Sequence, residues 1–193
     1  MRQRWGAAAV LVCLLAAAVT AWPQPAGDGE PRFNAHNELL RPEGYREWIF
    51  VGASLGMSYG ENPVRRSTFH NVYLHPRSYQ EYKKSGQFPE RTILAMEVLT
   101  PDSQSSINRQ GSFEDRPVAL EAAVKDSGRF PEGWAYFDFR GGGKAPFPGT
   151  ATAKAFPKEV CWSCHKEHAG TDNVFTQFYP VLRRDPPAFG AGR

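Results

Sequence analysis

Residues 92–99, with the sequence TILAMEVL, alternate in a way that is typical of a β-strand. Successive side chains of a strand point to opposite faces of its sheet. One face of this segment would carry Leu94, Met96 and Val98, and the other would carry Ile93, Ala95, Glu97 and Leu99. We predict a strand here, with further strands before and after it in the chain.

Three more segments are rich in aromatic or β-branched residues and predict strands: residues 45–51, 71–74 and 134–140. Residues 118–125 (VALEAAVK) fit either a strand or a helix, and the local sequence does not distinguish them. The polar residues 100–116 predict a long loop, and residues 141–157, rich in glycine and proline, predict a connection.

Two segments predict helices. Residues 76–85 (PRSYQEYKKS) have proline in their first turn and lysines near their end, and Gly86 follows as a stop signal. Residues 158–169 predict the second helix. Residues 173–183 place apolar side chains at helical spacing, although Pro180 would bend or break a helix there. Strands in succession with a few flanking helices predict an α+β fold with a mainly antiparallel sheet.

The ends of the chain differ from its middle. Residues 1–21 combine a basic start, an apolar run and small residues at the end, which is the pattern of a secretory signal peptide. The apolar run is shorter than the roughly 20 residues that span a bilayer, and no other segment is long enough, so no membrane span is predicted. Residues 22–32 predict a flexible leader, residues 33–184 one domain, and residues 185–193 a flexible tail.

The charge of the chain is nearly balanced once the signal is removed. Arg2 and Arg4 are two of the 23 lysines and arginines, so the remaining 21 face 20 acidic residues, for a net charge of +1. The excess positive charge expected of a nucleic-acid-binding protein is therefore missing, and we predict no nucleic-acid partner. A hydrophobic content of 41% with 22% charged residues indicates a globular domain.

Near the C-terminus the chain reads Cys161-Trp162-Ser163-Cys164-His165, which is the C-x-x-C-H pattern of c-type haem attachment. In this pattern each cysteine bonds one vinyl group of the porphyrin, and the histidine that follows is held beneath the iron as its ligand. We predict one covalent haem c, attached through Cys161 and Cys164, with His165 as the proximal iron ligand. The other cysteine, Cys13, lies within the predicted signal peptide.

Three other interpretations compete with haem attachment. A cysteine redox pair is expected in a βαβ context, which the sequence does not predict here. A structural zinc site needs four ligands, and only His168 lies nearby beyond the two cysteines and His165. A disulfide between the two cysteines would leave His165 without a role. The strand-rich body that precedes the motif also argues against an ordinary helical cytochrome c.

Five blocks of sequence carry a resemblance to a known family. They are residues 37–42 (NELLRP), 45–48 (YREW), 79–88 (YQEYKKSGQF), 120–130 (LEAAVKDSGRF) and 161–182 (CWSCHKEHAGTDNVFTQFYPVL). Over residues 33–183 the chain resembles the cytochrome P-460 family and its relatives, the cytochromes c′-beta. The resemblance implies a mostly antiparallel β domain, often a homodimer, with a periplasmic c-type haem. Members of the family oxidise hydroxylamine or bind nitric oxide at an open or nearly open distal side.

The resemblance also assigns two further positions. In the hydroxylamine-oxidising members a lysine is bonded to the porphyrin edge, and this sequence has Met96 at that position, followed by Glu97. A thioether cannot form the same link, so Met96 is either a packed apolar residue or a sulfur that contacts the haem as an axial ligand or at its edge. Glu121 matches the distal carboxylate that accepts protons from the substrate, although a solvent-facing glutamate is the alternative.

These observations leave three functions to compare. The first is a periplasmic haem protein that binds a small gaseous or nitrogenous ligand, such as nitric oxide or hydroxylamine. The second is electron transfer with a soluble electron carrier, in which Met96 or another group completes six coordination. The third is a hydroxylamine oxidase, which the missing lysine disfavours. The sequence leaves open whether the protein is an enzyme; if it is, we predict a haem-dependent oxidoreductase acting on hydroxylamine or nitric oxide.

Overall fold

The fold of this protein is built on a central antiparallel sheet. Its computed structural model describes residues 30–57, 67–105, 107–142 and 146–183. The predicted signal peptide, residues 22–29 of the predicted leader and the predicted tail lie outside the described residues.

The described residues contain seven strands and two α-helices. The strands are β1 (Leu39–Leu40), β2 (Ile49–Leu55), β3 (Phe69–Leu74), β4 (Ile93–Asp102), β5 (Phe113–Lys125), β6 (Trp134–Asp138) and β7 (Thr152–Ala153). The helices are α1 (Pro76–Ser85) and α2 (Trp162–His168), and short 3-10 helices occur at Tyr45–Glu47, Thr176–Phe178 and Pro180–Leu182.

Strands β2 to β6 form one five-stranded sheet, in which each strand pairs antiparallel with the next one in the chain. Strands β1 and β7 form a separate two-stranded pair. The predicted α+β fold with a mainly antiparallel sheet is therefore confirmed.

The alternation of β4 divides the core in two, as predicted. Leu94 and Met96 pack into an apolar cluster on one face of the sheet, which we call the site face, and Ile93 and Ala95 pack into a second cluster on the other face. The buried members of the site-face cluster are Val51, Val72, Leu74, Tyr82, Phe88, Leu94, Trp134, Tyr136, Val174 and Leu182. This cluster draws residues from the sheet, from α1 and from the C-terminal segment, so it ties these three parts together.

Helix α1 has the predicted bounds and the predicted end signals. Pro76 lies in its first turn, and Gly86 ends it with a φ of 75°, a left-handed conformation that glycine adopts without steric cost. The hydroxyl of Tyr82 in α1 donates to the carbonyl of Leu182 at 3.0 Å. This bond fixes the C-terminal segment on the site face of the sheet.

Both of the predicted connections contain strand residues, and one ambiguity is resolved. The polar loop is shorter than residues 100–116, because β4 and β5 keep pairing as far as Asp102 and Phe113. Residues 118–125 are strand, since their backbone groups pair with β4 on one side and β6 on the other. The connection at 141–157 contains β7.

Other predicted elements are only partly right. The strand predicted at 45–51 begins at Ile49, because Tyr45–Glu47 forms a 3-10 turn that sends the Tyr45 hydroxyl to the buried Glu97 at 2.8 Å. The helix predicted at 158–169 is limited to α2. Residues 173–183 form two 3-10 turns around Pro180, which lacks the N–H that a continuous helix needs.

Candidate functional site

A cavity lies on the site face of the sheet, between β4, β5, β6 and the C-terminal segment. The space that no atom fills amounts to about 600 Å³, including the open mouth. Apolar side chains dominate its wall, among them Val72, Leu94, Phe156, Val174 and Phe175.

Four of the five site residues predicted from the sequence line this cavity: Met96, Glu121, Cys161 and His165. Cys164 is not among its lining residues; it lies in α2, three residues after Cys161, and is partly buried. Strands β4 and β5 supply Met96 and Glu121, which are direct cross-strand partners, and the start of α2 supplies the motif. The fold thus brings residues more than 60 positions apart in the chain to one cavity.

The competing interpretations of the motif find no support in this arrangement. Cys161 and Cys164 are both free thiols rather than a disulfide. Across the part of the chain that the structure describes, no group of three or more histidine, cysteine and acidic side chains is placed to hold a metal ion. His168, the fourth ligand that a zinc site would need, is exposed and lies 3.8 Å from Glu167.

The electrostatics of Cys161 also differ from those of a redox-active cysteine. Burial raises the pKa of the Cys161 thiol to about 11, and the negative charge of Glu121 adds to the effect. Reactive cysteines in redox pairs have lowered pKa values, because the thiolate is the reacting form. Cys161 is therefore a neutral thiol at physiological pH.

The ring of His165 is held in one orientation and one tautomer. Its Nδ1 lies 2.8 Å from the carbonyl oxygen of Asn173. Since a carbonyl only accepts, Nδ1 carries the hydrogen and the neutral ring keeps a lone pair on Nε2. Burial lowers the pKa of His165 and so favours this neutral form. The rings of Tyr136 and Phe175 flank the imidazole, with centroids 4.3 and 4.5 Å away.

The carbonyl that accepts from His165 belongs to a tight turn, residues 171–174. The backbone N–H of Val174 donates to the carbonyl of Thr171 at 2.8 Å, and the two central residues, Asp172 and Asn173, have φ values of 47° and 59°. The carboxylate of Asp172 accepts from the indole of Trp134 at 3.1 Å. Sequence reasoning missed this turn, although asparagine and aspartate are the residues that tolerate left-handed backbone and favour such turns.

Glu121 faces two charged neighbours on the site face. It lies directly opposite Asp138 of β6, and Arg140 bridges the two carboxylates, with Nη2 3.3 Å from Glu121 and 2.8 Å from Asp138. Burial raises the pKa of Glu121, the positive charge of Arg140 opposes the rise, and Asp138 adds to it. Sequence reasoning did not single out Arg140, because the contact depends on the turn that follows β6.

Met96 is partly buried, and it belongs both to the apolar core and to the cavity wall. Its side chain packs against the site-face cluster, as the packing interpretation predicts, and it also lines the cavity that Cys161 and His165 share. Both interpretations of Met96 are therefore compatible with its position.

Comparison with known proteins identifies a family for this chain. The family model described as Cytochrome P460 matches residues 42–176, a range that includes Met96, Glu121 and the C-x-x-C-H motif. Among curated proteins, none was found that matches the chain.

Proposed function

Because the chain belongs to the cytochrome P460 family, we propose that it is an exported c-type cytochrome that binds a small nitrogenous or diatomic ligand, such as nitric oxide or hydroxylamine. The family implies a haem cofactor. That the haem is of the c type, single and covalently attached is our proposal, as is its place within a domain of residues 33–184.

One observation carries this proposal: Cys161 and His165 line the same largely apolar cavity. The bond from Nδ1 of His165 to the Asn173 carbonyl leaves its Nε2 unprotonated. The donor set fits a c-type haem. Cys161 and Cys164 would hold the porphyrin through thioether bonds, and Nε2 of His165 would bind the iron. Tying Nδ1 to a carbonyl is the usual way in which a protein orients a metal-binding histidine.

When bound, the haem supplies a redox-active iron with a coordination position for a small ligand. The protein's own contribution is a largely apolar wall, one fixed imidazole and one carboxylate. Glu121 would accept a proton, at a carboxylate oxygen, from a protonated nitrogenous ligand in the cavity. Arg140 keeps this carboxylate ionised to a lower pH than burial alone would allow.

We further propose that the protein is periplasmic, on the strength of the signal pattern in residues 1–21. Among the described helices, none is long and apolar enough to cross a membrane. The family resemblance suggests a second copy of the chain as a partner, and the electron-transfer function would add a soluble electron carrier. If the protein turns over a substrate, we propose a haem-dependent oxidoreductase acting on hydroxylamine or nitric oxide.

Electron transfer is a second candidate function, and it rests on Met96, which lines the same cavity as His165. The wall of this cavity therefore offers both a methionine sulfur and an imidazole as ligands for the iron of a bound haem. A histidine–methionine pair raises the reduction potential and closes the iron to external ligands. Ligand binding therefore distinguishes the two candidates.

Ligand binding by the purified protein and by Met96→Leu tests both candidates. For the ligand-binding function we expect ferric and ferrous spectra without a sulfur–iron band, rapid binding of cyanide or nitric oxide, and rates within about threefold of each other for the two proteins. For electron transfer, wild type would bind slowly and show a sulfur–iron charge-transfer band that Met96→Leu abolishes. Stopped-flow absorption measures the rates, and slow binding with such a band would overturn the first function.

The role of Glu121 predicts a pH dependence. The rate of hydroxylamine binding should fall as pH drops through the raised pKa of Glu121, because the protonated acid cannot accept a proton. Glu121→Gln should bind about tenfold or more slowly and lack this transition. Arg140→Ala should move the transition to higher pH, since the loss of its positive charge raises the pKa of Glu121 further.

An exposed arginine provides the control for this experiment. Arg116→Ala removes an exposed guanidinium that pairs with Asp115 near the start of β5. This variant should leave the pH profile unchanged. The titration of hydroxylamine itself is common to all variants, so differences between them report on the protein. Equal rates and equal profiles for wild type and Glu121→Gln would show that Glu121 takes no part.

A further inference from the structure

The turn at residues 171–174 holds an unusual backbone conformation. Asp172 and Asn173 are consecutive residues with positive φ, a region that side chains other than glycine rarely adopt. Such a conformation persists where the surrounding structure holds it in place. Here its result is that the Asn173 carbonyl points at Nδ1 of His165.

The carboxylate of Asp172 fixes this turn to the sheet. It accepts from Nε1 of Trp134 at 3.1 Å and from Nζ of Lys125 at 2.8 Å. Lys125 and Trp134 are direct partners across β5 and β6, and Lys125 also donates to the carbonyl of Phe88 at 2.8 Å. The turn is thus held by two side chains that the sheet itself keeps rigid.

The Asn173 carbonyl has a second donor. The hydroxyl of Tyr136 lies 3.2 Å from the same oxygen that accepts from His165. Tyr136 follows Trp134 by two residues in β6, so both side chains stand on the site face. Two residues of the same strand therefore act on this turn. Trp134 fixes the turn through Asp172, and Tyr136 competes with His165 for the Asn173 carbonyl.

Building on the proposed function, we propose that Asp172 and Tyr136 are positioning residues that set the reduction potential of the haem in opposite directions. A firmer hydrogen bond from Nδ1 makes the imidazole a stronger electron donor at Nε2, which favours the oxidised iron. Asp172 keeps the bond firm by holding the turn. Tyr136 weakens it by sharing the carbonyl.

Reduction potentials of the haem-loaded variants test this proposal. Asp172→Ala should make the iron easier to reduce, and Tyr136→Phe should make it harder. Each change should alter the equilibrium constant for reduction by about three- to tenfold, which is the usual range for one hydrogen bond. A tenfold change corresponds to about 59 mV for a one-electron couple. The iron–histidine stretching frequency of the ferrous protein should fall in Asp172→Ala and rise in Tyr136→Phe.

Two further variants guard against a simple loss of folding. Asp172→Asn keeps an acceptor for Trp134 and a residue that tolerates positive φ, but loses the ion pair with Lys125, so its potential should rise less than that of Asp172→Ala. Asp115→Ala, at an exposed aspartate of β5, should leave the potential unchanged. If Asp172→Ala does not fold, Asp172→Asn and Tyr136→Phe still give opposite expectations.

The outcomes separate this proposal from the function on which it rests. If the wild-type protein is found to carry no covalently bound haem, the proposed function itself is wrong. Haem-loaded variants whose potentials stay within the error of wild type, or move in the same direction for Asp172→Asn and Tyr136→Phe, would overturn the positioning roles alone.

Discussion

A variant in which Cys161 and Cys164 are both replaced by alanine should lose all of its pigment into acidified acetone, whereas the wild-type protein should keep it. Thioether bonds survive this extraction, and a haem held only by His165 and by apolar contacts does not. The measurement is the absorption of the precipitated protein at the haem bands, with wild type processed in parallel. Because the double variant should lose all of its pigment, this is a direct test of covalent attachment.

Single variants show whether each cysteine forms its own thioether bond. Cys161→Ala and Cys164→Ala should each retain pigment through one remaining bond, with absorption bands shifted to the red because one vinyl group stays unsaturated. Ser163→Ala changes an exposed residue between them, whose hydroxyl donates to the carbonyl of Lys158 at 3.1 Å, and should behave like wild type. Pigment that stays with the double variant would contradict thioether attachment.

The central strands could be predicted from sequence because their signal is local. In β4 the alternation of residues 92–99 is visible without its neighbours, and the strand has apolar partners on both faces. Residues 118–125 could not be assigned, because a run of alanine, leucine and valine suits a helix as well as a strand. What fixes them as strand is pairing with β4 and β6, which is a tertiary effect.

Tyr45 shows the opposite error, in which a local signal was misleading. Its aromatic side chain suggested a strand, but the chain turns there and buries the ring so that the hydroxyl reaches Glu97. Glu97 also accepts from Arg46, so a carboxylate on the far face of β4 holds the 3-10 turn. Contacts across 51 and 52 positions leave no trace in the local sequence.

In the candidate site, too, some residues could be predicted from sequence and others could not. The C-x-x-C-H motif is contiguous and could be found from spacing alone, and Met96 and Glu121 could be found by family resemblance. Asp172 could not, because its importance comes from Lys125 and Trp134, which lie 47 and 38 positions away. A short motif identifies the proposed haem ligands, whereas the residues proposed to orient them are distributed over the sheet.

Replacing His165 with glycine should remove the proposed iron ligand while leaving the haem attached. The spectrum should then change throughout the visible region, because the iron loses its imidazole. Glycine within α2 costs about 1 kcal/mol relative to alanine, so the fold should survive. Added imidazole should restore the wild-type spectrum, since the substitution leaves a ring-sized space between Tyr136 and Phe175, whose rings flank the native imidazole.

The chain offers a matched control in the same helix. His168→Gly also places glycine in this helix, but His168 is exposed and its ring contacts Glu167 rather than the cavity. The spectrum of this variant should therefore equal that of wild type with or without imidazole. Rescue of His165→Gly should also depend on the Asn173 carbonyl, which accepts from the native ring and would accept from the N–H of added imidazole. N-methylimidazole lacks that N–H and should rescue less well than imidazole. A wild-type spectrum for His165→Gly without any addition would mean that another residue binds the iron.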